Sequence, residues 1–153
     1  MKKSIIVLAL VSFFAGTAQA QNISPVDENG LAIGGYDVVA YFSNEAVKGM
    51  DIYSAQYKEV TYHFSTEENR DAFKANPAKY APQFDGYCAW GVGARDAKFP
   101  INPETFDIVD GKLYLFFNGP FEGKRFNTVL LWYDETTKLQ AAAHRKWPNV
   151  KNQ

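Results

Sequence analysis

This chain of 153 residues carries one cysteine, Cys88, and two histidines, His63 and His144. One thiol cannot close an internal disulfide, and no Cys-x-x-Cys pair exists to run a dithiol redox cycle within one chain. A Gly-rich phosphate loop, a Gly-x-Ser-x-Gly elbow, a serine triad and a His-Glu-x-x-His pair are all missing, so the chemistries built on them have no residues here. Neither sign of charge dominates. Sixteen basic residues stand against 17 acidic ones, for a net −1, which offers no electrostatic footprint for nucleic acid. After the first twenty residues no stretch is apolar enough to cross a membrane.

What the chain does have begins at its amino end. Lys2 and Lys3 precede an apolar run from Ile5 to Phe14, and Ala18-Gln19-Ala20 follows as a small-x-small site. That order is a secretory signal over 1–20, and the run is too short to span a bilayer. No cysteine follows it for lipid attachment. The expectation is a mature chain starting at Gln21, periplasmic or secreted, with no transmembrane segment once the signal is removed. About 130 residues then remain, enough for one domain with a real core. Aromatic residues make up 16% of the sequence, which suggests a ring-rich core and a groove walled by rings.

The periodicity points to α+β. Gln21 to Gly35 is polar and glycine-marked, a leader strand or loop. Tyr36 to Phe42 suits a short helix capped by Asp37 or a buried strand. Tyr53 to Phe64 is rich in aromatic and β-branched residues and reads as extended. Alternation places Val60, Tyr62 and Phe64 on one face and Thr61 and His63 on the other. Ser65-Thr66-Glu67-Glu68 forms a capping box with Ser65 as the cap, opening a helix that Asn76-Pro77 ends. Another apolar element runs from about Tyr87 to Val92, with Asp85 as its cap. Phe106 to Val109 and Leu113 to Phe117 flank Asp110-Gly111, a hairpin signal. From about Phe121 to His144 the chain is helix-compatible, and Trp147-Pro148 ends it. Strands and helices are segregated, which predicts a small single α+β domain: an antiparallel sheet with a β-hairpin, packed by short helices.

Three segments carry a family resemblance. They are Gly35-Tyr36-Asp37-Val38-Val39-Ala40-Tyr41-Phe42, then Tyr62-His63-Phe64-Ser65-Thr66-Glu67-Glu68-Asn69-Arg70-Asp71-Ala72-Phe73, and then Asn76-Pro77 through Gly86-Tyr87-Cys88-Ala89-Trp90. The chain resembles secreted YHS domain proteins, and Ile108 to Leu115 resembles the same exported subfamily. The resemblance implies one domain over 21–153, with a YHS-like core at about 35–118 and a C-terminal helical extension. It also implies heavy-metal handling, copper above all. The family's usual cysteines would fall at Ala40, Ser65 and Asn69, so the soft donors of that site are absent from this chain. The exported subfamily keeps the cysteine of its Gly-Tyr-Cys-Ala motif, and some relatives are described as selenoproteins.

Cys88 is thus the distinctive group. If Asp85 caps its element, Cys88 sits in a first turn whose amides favour a thiolate. That reading expects partial accessibility and a pKa below that of free cysteine. The contrasting reading has Cys88 as a packed core residue. His63 is the second candidate metal ligand beside Cys88, with an exposed strand position as its plain alternative. Tyr36, Asp37, Tyr41, Tyr87 and Trp90 are candidates for a pocket around the thiol, or for aromatic core. No catalytic base is identifiable, which weighs against a turnover enzyme. Two functions follow. One is an exported binding protein acting through a single redox or soft-metal thiol, with a copper-like ion as the cofactor class and no organic cofactor. The other is a module for a small ligand or an envelope protein in which Cys88 only packs.

Overall fold

The computed structural model describes residues 21–153; the expected secretion signal over 1–20 lies outside the described residues. The described chain is a small α+β domain, with three two-stranded antiparallel sheets and five α-helices among the described residues. β1 (Met50–Tyr57) pairs with β2 (Val60–Phe64), and β3 (Asn102–Val109) with β4 (Lys112–Phe116). β5 (Asn118–Phe121) pairs with β6 (Lys124–Asn127). The helices are α1 (Glu67–Ala75), α2 (Pro77–Tyr80), α3 (Ala89–Arg95), α4 (Thr128–Asp134) and α5 (Thr136–Val150). No helix among the described residues is long and apolar enough to cross a membrane.

The Asp110-Gly111 hairpin forms as its sequence predicts. Val109 faces Lys112, and both turn residues have positive φ, 51° and 69°, the conformation that two-residue turns demand. The other two hairpins use less readable turns. Lys58 and Glu59 adopt φ 50° and 64°, so the single extended stretch expected over 53–64 is two strands folded back on each other. Glu122 and Gly123 (φ 49° and 76°) turn β5 into β6. The expected helix from Phe121 therefore starts only at Thr128, where the Asn127 side chain accepts from the Val129 amide.

Two caps differ from expectation, one because a nearby group competes for the side chain and one because the backbone turns the other way. Thr66, not Ser65, caps α1 and accepts from the Asn69 amide at 3.1 Å. Ser65 is engaged by Asp37 instead. Asp85 does not cap α3. It lies in a left-handed turn, and the cap position is Cys88 itself, which makes no side-chain cap bond. Pro148 does not stop α5, which continues to Val150, because Val150 is buried and anchors the last turn.

The core runs across the whole described chain. Phe64, Phe73, Tyr114, Phe116 and Trp132 are buried together with Ala143 and Val150. The C-terminal helices are thus part of the core. α5 lies so close to α3 that a Cβ on Gly93 would sit 2.7 Å from the Leu139 carbonyl oxygen.

Candidate functional site

Cys88 precedes α3 and is wholly buried. Its Sγ lies 3.3 Å from Thr128 Oγ1 and 3.4 Å from the Phe117 amide nitrogen. Thr128 Oγ1, with one hydrogen to give, also reaches the Phe117 carbonyl at 3.0 Å. The Phe117 carbonyl and Cys88 Sγ therefore compete for the Thr128 hydroxyl hydrogen, and either atom of the Cys88–Thr128 contact can donate. Burial pushes the Cys88 thiol up, against smaller opposing effects from Thr128 and the amides of Gly91, Phe117 and Trp90. The expected partial exposure and lowered pKa are both reversed. The amides at the start of α3 are present, but desolvation outweighs them.

Asp37 is also wholly buried, yet it is surrounded by donors. Its Oδ1 accepts from the Val39 and Ala40 amides at 2.9 and 3.3 Å. Its Oδ2 accepts from the Ser65 amide, Ser65 Oγ and Asn69 Nδ2 at 2.7 to 2.8 Å. The three places where the resemblance would put cysteines, Ala40, Ser65 and Asn69, therefore converge on one carboxylate. In this chain that point is a closed hydrogen-bond node.

The remaining candidates do not gather around the thiol. Tyr41 donates to the Pro103 carbonyl at 2.7 Å and packs against Phe106 with the rings tilted. Tyr36 lies under the Lys48 ammonium, and Trp90 packs on Phe99 and Phe126. Their role is in the core or at its rim. His63 is half-buried on β2 opposite Ser54 and is not among the polar neighbours of Cys88. Among the described residues no three His, Cys, Asp or Glu side chains stand together as a metal cage.

An open cavity of about 430 Å³ lies elsewhere, and of the five pocket candidates only Tyr87 lines it. Its walls come from separate parts of the chain. The β1–β2 hairpin contributes Tyr57, Lys58 and Tyr62, the left-handed turn Asp85, and α5 Trp147. Lys98 and Lys151 complete the rim. A second hollow of about 220 Å³ shares Tyr57, Lys58, Asp85 and Trp147 and extends the groove to His144. Burial, the charge of Asp85 and Tyr57 together push Tyr62 up to about 12, so its hydroxyl stays a donor at neutral pH.

The wall at Asp85 is built from strained backbone. Phe84, Asp85 and Gly86 have φ of 56°, 49° and 86° in succession. At Phe84 that conformation costs roughly 1–2 kcal/mol, while Asp85 is of a type that tolerates it. The turn drives the Phe84 ring inward onto Tyr114, His144 and Trp147. It leaves Asp85 outside, 3.0 Å from Lys151 Nζ. At Phe84 the core contacts offset the strain. Reasoning from sequence missed Tyr57, Lys58, Tyr62, Lys98, Trp147 and Lys151 as a group, since no spacing links them.

Compared with protein-family models, curated proteins and solved structures, the chain matches none.

Proposed function

We propose that the chain is a non-catalytic binding module of the exported YHS type, with its ligand in the Tyr57–Trp147 pocket and Cys88 as packed core. The observation that carries this reading is the separation of the two features. The only thiol is wholly buried, and it does not line the open cavity at Tyr57 and Trp147. At about 430 Å³ that cavity falls in the ordinary range for small-molecule sites, roughly 300–1,000 Å³. The convergence of Ala40, Ser65 and Asn69 on Asp37 supports the family part of the reading. Those positions would have to meet if they once held one metal. Residues 1–20 support delivery to the periplasm or beyond.

Thiol titration with a chromogenic disulfide tests the choice between the two functions. The folded protein is expected to show no reaction at neutral pH, and the denatured protein one thiol. Prompt reaction in the folded state, or stoichiometric copper lost in Cys88→Ala, returns the single-thiol function to first place. Mass spectrometry of the exported protein should find Gln21 at the amino terminus; an intact membrane-held chain would remove the envelope part.

A further inference from the structure

We propose that the pocket selects a small planar organic anion, of the aromatic carboxylate class. This rests on the binding-module reading and names its ligand chemistry. Flat surfaces come from Tyr57, Tyr62, Tyr87 and Trp147, the last two with ring centroids 6.3 Å apart. Ring faces of this kind also attract organic cations. Here three of the four rings already carry one of the protein's own ammonium groups over one face. Lys58 Nζ lies 5.2 Å from the Tyr57 centroid, Lys98 Nζ 5.4 Å from Tyr87, and Lys151 Nζ 6.0 Å from Trp147. A cationic ligand would meet three like charges at its natural seats.

An anion meets the opposite situation. Asp85 is the one carboxylate on the wall, and it is engaged by Lys151 at 3.0 Å. Lys98 Nζ is held by the Lys151 and Gln153 main-chain oxygens at 2.8 and 3.1 Å, which fix that ammonium at the rim and leave it less available to a ligand. Lys58 has no ion pair or hydrogen bond through its ammonium among the described residues, and it lines both hollows. It is the cation best placed to meet a carboxylate, with the Tyr62 hydroxyl as a neutral donor deeper in. The strained turn at Phe84 and Asp85, pinned by the core, keeps this wall in place without a ligand. Preorganisation of that kind favours binding.

The test uses three probes with one ring system: 2-naphthoate, 2-naphthamide and 2-naphthylmethylammonium. Binding to the mature chain is read by NMR at the Trp147 indole N–H and the Lys58 amide. The expected result is that 2-naphthoate shifts both signals, about fivefold or more tighter than the amide, with the gap closing as salt rises. Lys58→Gln, an exposed hairpin-turn change, should abolish most of that gap and leave 2-naphthamide binding unchanged. If the ammonium or the amide binds at these signals as tightly as the carboxylate, the anion class falls and the pocket remains. If none of the three moves them, the binding-module reading falls as well.

Discussion

Asp37 and Cys88 are two buried polar groups in one core, and their surroundings are opposite. Asp37 receives five hydrogen bonds, from two turn amides and from the start of α1. Cys88 has one oxygen neighbour and weak amide contacts, and the nearest of those amides, Phe117, has its better partner in Thr128 Oγ1 at 3.1 Å. A carboxylate can be held in the interior only when its acceptor sites are filled. A thiol needs far less, because it packs as a small hydrophobe. The residue that looked reactive is thus the one with the weaker polar tie to the structure. The residue that looked like a cap ties together the 3-10 turn Ala40–Ser43 and the β2–α1 junction.

The comparison breaks most sharply at Asp37→Ala. That variant leaves the half-buried Ser65 and Asn69 donors without their acceptor. The expected loss is on the order of 3–5 kcal/mol, read as a large fall in the urea midpoint. A loss below about 1 kcal/mol would mean that water replaces the carboxylate, and the node would carry no special weight. Ser65→Ala removes one bond of the five, at 2.7 Å, and is expected to cost about 2 kcal/mol. The amide of Ser65 still reaches Asp37, so the fold should survive and the loss should stay well below that of Asp37→Ala.

How much of this was legible in the sequence divides along the same line. The Asp110-Gly111 turn was visible because two turn residues and two apolar runs are adjacent in the chain. The Lys58-Glu59 turn was not, since neither residue advertises positive φ. Asp37 was legible as a local cap in one of two readings of its segment, the other a buried strand, and its bonds to the Val39 and Ala40 amides fit the first. Its other bonds, to Ser65 and Asn69, span about 30 residues and have no periodic trace. The same long-range contact moved the cap by one residue, from Ser65 to Thr66, and the reciprocal half of the predicted capping box does not form among the described contacts. Local preference names a set of possible partners, and tertiary contacts choose among them. The pocket was illegible for that reason, since its walls are distant segments meeting over a strained turn that no motif marks. The α+β class was readable because segregation of strands and helices survives every one of these local errors.

Cys88→Ala sharpens the contrast from the other side. The Phe117 amide keeps its bond to Thr128, so no buried donor is stranded. Only a sulfur-sized space is left, and the expected loss is about 1.5 kcal/mol, well below that of Asp37→Ala in the same assay. A loss as large as the Asp37 variant shows would mean that the sulfur itself organises the junction of β4, α3 and α4.

The smallest effect is a pH dependence, and its direction separates a packed thiol from an activated one. Burial raises the folded pKa of Cys88 above the unfolded value of about 8.5. Below pH 8.5 both states keep the proton, and the thiol adds no slope. Above it the unfolded chain releases a proton that the folded chain retains, so stability falls as pH rises toward the folded pKa. Between pH 8.5 and 9.5 that loss is bounded at about 1 kcal/mol for one group. Cys88→Ala should lack this component, so the difference between the wild-type and variant curves isolates it from the buried tyrosines Tyr41 and Tyr62, whose unfolded forms ionise from about pH 10. Parallel curves between pH 8 and 9.5 would show that the thiol is not desolvated in solution. A wild type that gains stability over that interval would mean a favoured thiolate, and Cys88 would again be the functional group.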